Sequence, residues 1–143
     1  MRAIIYFSIL SLLVVSCKPK DDTPSVVGTW KISWAAYWTG LGKPGMGMAQ
    51  GDAWTSECQK QEKFIFSDKK LKKYSYTKQQ DGSCLEDVME ASYSISEHTL
   101  SYSSLGKNES FEFKVWDNGT ETRMLMVETL PDGKRIARYY VKQ

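Results

Sequence analysis

The strongest constraint on this chain is a period of two. From residue 26 onward, short runs of aromatic and β-branched residues alternate with polar ones and are interrupted at near-regular intervals by turn formers. That pattern belongs to half-buried strands rather than to helices. Eight such runs are legible, at residues 26–34, 61–67, 71–78, 89–96, 99–103, 109–116, 122–129 and 134–142. The residues expected on one face are Trp30, Ile32 and Trp34 in the first run, Phe64 and Phe66 in the second, and Tyr74 and Tyr76 in the third. Tyr93 with Ile95, Leu100 with Tyr102, and Phe111 with Phe113 and Val115 continue the pattern, and Tyr140 joins it in the last run. No proline falls inside a run, as paired strands require. The connections at Asp68-Lys69-Lys70, Glu97-His98, Asp117-Asn118-Gly119 and Pro131-Asp132-Gly133 are tight, so successive strands should be antiparallel neighbours. Eight strands in a meander can close on themselves and remove their edges. The expected fold is therefore all-β, an eight-stranded antiparallel up-and-down barrel. An open or sandwiched sheet is the rival, and helix is limited to a turn about residues 85–89.

The N-terminus obeys a different logic. Residues 4–15 form an apolar run behind Arg2, too short for the roughly twenty residues that cross a bilayer as a helix but of the length found in secretory signals. The run ends in Val14-Val15-Ser16-Cys17, which resembles the lipobox of bacterial lipoproteins. The resemblance implies cleavage after residue 16, acylation of Cys17, and a stable membrane anchor, since two or more chains suffice for that. Residues 17–25 are polar, carry Pro19 and Pro24, and read as a lipidated tether. The Lys20-Asp21-Asp22 element resembles an acidic export signal of Gram-negative lipoproteins, which implies an outer-membrane location on the periplasmic or the cell-surface face.

Removing residues 1–16 leaves 127 of the 143 residues, a comfortable size for one domain, here residues 26–143. Arg2 goes with the signal, so 18 basic residues face 17 acidic ones. That balance argues against nucleic acid as a partner, and a monomer is expected. Cys58 and Cys84 are then an even pair in an oxidising compartment and should form a disulfide. His98 is the sole imidazole and lies in a turn, without a motif that would make a neighbour a nucleophile. Glu86, Asp87 and Glu90 read as solvated carboxylates on a connection, and Lys69, Lys70, Lys72 and Lys73 as a wet hairpin tip. No enzyme activity, metal or cofactor is expected.

Gly28-Thr29-Trp30 at the opening of the first run resembles the Gly-x-Trp signature of lipocalins, and the whole mature domain is similar in layout to the lipocalin-like domains of small bacterial lipoproteins. The resemblance implies that Trp30 closes the barrel floor beneath an arginine of the last strand, Arg138 or, in another register, Arg135. It also implies that the glycine-rich connection at residues 35–58 covers the open end. Trp38, Met46, Met48 and Trp54 would then form a lid, and Phe64, Tyr74, Tyr102 and Phe113 a ligand-binding wall. The expected function is binding of a small hydrophobic or amphipathic molecule. The alternative is a protein-interaction module of inhibitor or immunity type, meeting another envelope protein through the same loop. A third option is that the loop merely plugs a barrel already filled by aromatic rings.

Overall fold

The computed structural model describes residues 24–38, 49–51, 53–54 and 56–143. Cys17, Met46 and Met48 lie outside the described residues. Among the described residues nine strands appear in order: β1 (Gly28–Trp38), β2 (Ala49–Gln50), β3 (Lys63–Phe66), β4 (Lys70–Lys78), β5 (Cys84–Ser96), β6 (Thr99–Ser104), β7 (Lys107–Asp117), β8 (Thr122–Thr129) and β9 (Arg135–Lys142). A 3-10 turn at Glu57–Gln61 precedes β3.

Strands β3 to β9 succeed one another as antiparallel neighbours, and β1 pairs with both β3 and β9. An eight-stranded antiparallel barrel is thereby closed, while the two-residue β2 extends one margin alongside Tyr37 and Trp38. The expected up-and-down barrel is the fold observed, and the open sheet is excluded. The expected turn near residues 85–89 is instead strand, because β5 begins at Cys84 and pairs with β4 through Lys78↔Cys84.

One end of the barrel is filled. Trp30, Phe64, Phe66, Leu71, Leu100, Phe111, Met124 and Tyr140 are buried against one another, with Phe64 edge-on to Tyr140 at 5.3 Å. Burying a large apolar side chain contributes roughly 1.5 to 3 kcal/mol, so this packed half holds the cylinder together.

Two strands depart from the expected phase. In β1 the register slips between Ile32, opposite Tyr140, and Trp34, opposite Tyr139. Such a bulge re-aims the side chains beyond it. Trp34 thus stacks on Tyr139 at 5.2 Å on the outside and is 41% exposed, instead of sharing the inward face of Trp30 and Ile32. In β4 the buried Leu71 sets the phase, and Lys73 stands opposite the buried Phe64. Tyr74 and Tyr76 therefore face out. Tyr74 lies under the Lys63 ammonium at 4.2 Å, and the Tyr76 hydroxyl donates to Glu86 at 2.5 Å.

Candidate functional site

The closed end is built from three pieces of backbone. Trp30 is fully buried, and its indole Nε1 donates to the Val26 carbonyl at 2.6 Å. The N-terminal segment is thus held across the floor. Above the indole lies a cation, but it is Lys142, 5.5 Å from the ring centroid, with its ammonium also donating to the Ser25 carbonyl at 2.9 Å. This corrects the placement of Arg138 over Trp30. In the observed register Trp30 stands opposite Lys142, whereas Arg138 stands opposite Ala35, four residues and roughly 13 Å further along the strand.

Arg138 lies instead on the inner wall, opposite Met126 of β8. Its guanidinium pairs with Glu128 at 2.5 Å. Burial opposes its charge, yet Tyr140, Glu128 and Glu62 together hold its pKa above the ordinary arginine value. One residue pair below, the Tyr140 hydroxyl donates to Glu62. Burial first, and the Glu62 charge second, push the Tyr140 phenol well above its usual range. Arg135, the alternate for the floor, is on the opposite face and pairs with Glu112.

At the other end the wall opens. The β5–β6 ladder runs only from Ser96↔Thr99 to Tyr93↔Tyr102, while residues 84–92 of β5 continue upward paired with β4 alone. Ser103 and Ser104 of β6 continue with β7 alone. Between these diverging halves lies a cleft of about 400 Å³, within the range of small-molecule sites. Strand alternation places Lys73, Ser75, Asp87 and Met89 on one side of it and Tyr102, Ser104, Lys107 and Glu109 on the other. The Tyr102 hydroxyl donates to Glu109 at 2.6 Å. Burial, then that carboxylate, raise the Tyr102 pKa far above its ordinary value.

The ligand-wall residues named from sequence scatter accordingly. Tyr102 lines the cleft. Phe64 is buried in the filled half. Phe113 sits near the floor, where it borders a smaller cavity of about 270 Å³ with Pro24 and Val26. Tyr74 is outside, because Leu71 claims the inward phase of β4. Trp38 packs against Leu125, Val127 and Ala137, the face of β8 and β9 opposite to inward Met124, Met126 and Tyr140, so it belongs to the outer wall rather than to a lid. Trp54 does reach the open end: it packs with Ala35, Ala53 and Ile136 and also touches the main core. Ala53 is tied there by its N–H to the Ala35 carbonyl at 3.1 Å.

Cys58 and Cys84 form the expected disulfide, with Cα atoms 5.5 Å apart. It joins the 3-10 turn to the start of β5 and fixes one lip of the opening. Sequence reasoning missed most of the cleft. Asp87 falls on a connection if β5 starts at Met89, and Lys73 falls on a wet tip if Tyr74 and Tyr76 take the inward phase; neither condition holds in the barrel. The signals that would have found them are the single aliphatic Leu71 in β4 and the disulfide partner Cys84 at the head of β5.

The family model for a lipocalin-like domain matches residues 26–125. A comparison with curated proteins returned no match. Among solved structures, a lipocalin-like protein from Bacteroides uniformis ATCC 8492 is 14% identical, with a TM-score of 0.43 over 82% of this chain and 97% of that one. An uncharacterized protein from Bacteroides eggerthii DSM 20697 is 12% identical, with a TM-score of 0.42 over 83% of this chain and 100% of that one. With the signature Trp30 beneath a closed eight-stranded barrel and the family match spanning most of the domain, this chain belongs to the lipocalin-like domain family.

Proposed function

We propose that this protein is a lipid-anchored envelope lipocalin-like protein that binds a small amphipathic molecule in the cleft at its open end, without catalysis. The observation that supports this most is the cleft itself: about 400 Å³ of space at the diverging β5–β6 wall, with Met89 and Tyr102 among its lining residues. The interior of the lower half is occupied by its own rings, which pack on one another. A ligand would gain roughly 25 cal/mol per Å² of apolar surface buried, before the costs of association. Polar groups on the same walls favour a molecule with a head over a plain hydrocarbon.

Native mass spectrometry of the mature protein, purified in mild detergent, should show a retained small molecule. Met89→Trp, which fills the cleft, should weaken its binding at least tenfold while leaving the melting temperature within a few degrees. Binding untouched by that substitution rejects the location. For the anchor, palmitate labelling should mark the wild type and not Cys17→Ala, which should leave the membrane fraction. The lipobox-like Val14-Val15-Ser16-Cys17 supports that expectation.

A second reading, a module that meets another envelope protein, draws on apolar side chains around the same opening. Leu105 at the β6–β7 turn is fully exposed, and Leu85 is 58% exposed. A partner captured from envelope extract by the wild type and lost with Leu105→Asp, with no small molecule retained, would favour it.

A further inference from the structure

The charges lining the cleft are of both signs and mostly face it unpaired. Glu90 borders it, but its carboxylate is taken up by Lys70 and Lys72, as Glu121 is by Arg123 and Asp132 by Lys134 elsewhere on the barrel. Within the cleft, Lys73, Asp87 and Lys107 make no ion pair among the described residues, and Glu109 receives only the Tyr102 hydroxyl. Leaving the paired Glu90 aside, each side presents one charge of each sign: Lys73 and Asp87 on the β4–β5 side, Lys107 and Glu109 on the β6–β7 side. Among the described residues the Lys73 ammonium meets only the Phe64 ring, at 5.8 Å. Of the five charged groups bordering this space only Glu90 is ion-paired, so two cations and two carboxylates remain there without satisfying one another.

We propose that the cleft takes a zwitterionic amphiphile, its ammonium held by Asp87 and Glu109 and its anionic group by Lys73 and Lys107. The proposal rests on the ligand-binding reading and narrows it. Specificity is a difference between affinities, and mismatched charge supplies the unfavourable side of that difference. A simple fatty anion gains the lysines but brings its charge against Asp87 and Glu109. A simple fatty amine has the converse problem. A neutral head leaves all four groups facing a group that cannot answer them, and only a head with both signs matches both. Tyr102 strengthens the arrangement by fixing the Glu109 carboxylate from below. The chain of the ligand meets Met89 and leaves past the exposed Leu105, because the packed rings beneath block descent.

The test uses the mature, lipidated protein and four probes with one twelve-carbon chain, each below its micelle concentration: lysophosphatidylethanolamine, dodecanoate, dodecylamine and monododecanoylglycerol. Calorimetric titration should give the zwitterion at least tenfold tighter binding than each of the others. Asp87→Asn should bring dodecanoate to within about threefold of it, and Lys107→Gln should do the same for dodecylamine. Both sites are exposed, so neither substitution threatens the fold. Free glycerophosphoethanolamine, the same zwitterionic head without the chain, is the fifth arm. Binding comparable to the lysolipid identifies a soluble zwitterion as the source, whereas much weaker binding identifies a lipid head. Four amphiphiles binding within threefold of one another would overturn the head-group assignment and leave the ligand-binding reading standing. If none of the five bound, both would fall.

Discussion

At Gly28 the backbone φ is +135°, and a Cβ there would lie 2.8 Å from Lys142 Cε. The glycine of the Gly-x-Trp signature therefore has two duties: it adopts a conformation costly to other residues, and it leaves space for the lysine that reaches over the indole. Because a lysine end is flexible, the strain dominates, at about 1 to 3 kcal/mol. Gly28→Ala should lose about that much in denaturant unfolding. Lys142→Ala should lose only about 0.5 to 1 kcal/mol, the worth of an accessible cation over a ring. Trp30→Ala should cost about 3 to 5 kcal/mol, and an unchanged midpoint for it would refute the floor. Protons at Tyr102 and Tyr140 give a separate check. Burial first raises both phenols, with neighbouring carboxylates adding to it. A raised folded pKa means that stability is full below the unfolded tyrosine value of 10.0 and is lost as pH climbs from there toward the folded value. Absorbance at 295 nm in an alkaline titration should accordingly show these two tyrosines ionising only with unfolding, and their titration near pH 10 in folded protein would contradict their placement.

Among the elements, the strands whose inward residues are all large and apolar were legible. Phe64 with Phe66 and Phe111 with Phe113 and Val115 declare one face, and the barrel buries that face. Strand β4 misled because its rings stand on the outside, over lysine and beside glutamate, and aromatic β-propensity does not say which side is buried. Strand β1 misled because a bulge has no period. The floor cation was misassigned for a third reason: alternation says which face a residue takes but not how far β9 slides along β1, and the register sets Lys142 rather than Arg138 opposite Trp30. At β5 the lapse was one of extent, since the adjacent carboxylates Glu86 and Asp87 interrupt the apolar alternation of residues 84–88, yet the segment pairs fully with β4. The disulfide anchors this upper half. It closes a loop with a sequence separation of 26, which on the chain-entropy account contributes about 3 to 4 kcal/mol. Cys58→Ala with Cys84→Ala should lower stability by that order. Hydrogen exchange should accelerate first at Glu57–Gln61 and at the head of β5, while amides of Trp30, Phe64 and Tyr140 stay protected. Uniform acceleration would mean that the bridge braces the whole barrel rather than its rim.

As a whole, the molecule has an axis. Its closed end gathers Val26, Trp30 and Lys142, and its open end gathers the cleft, the disulfide and the exposed Leu105. The chain enters the described structure at Pro24, against the closed end, where Pro24 and Val26 border Phe113 and Val115. The proposed anchor at Cys17 thus leads to the end opposite the cleft. Strand β1 has 11 residues, so at about 3.3 Å per residue and a tilt near 40° the two ends stand roughly 28 Å apart. The seven residues from Cys17 to Pro24 span at most about 25 Å when extended. A lipidated protein should on average hold its cleft away from the bilayer that carries it and receive ligand from the aqueous side. Single fluorophores attached at Val27→Cys and at Leu105→Cys, in protein reconstituted into vesicles whose head groups carry a quencher, separate the alternatives. The label at position 27 should be strongly quenched and the label at 105 nearly unaffected. Equal quenching would place the barrel on its side, with the cleft open to the membrane surface, and the ligand would then be drawn from the host leaflet instead.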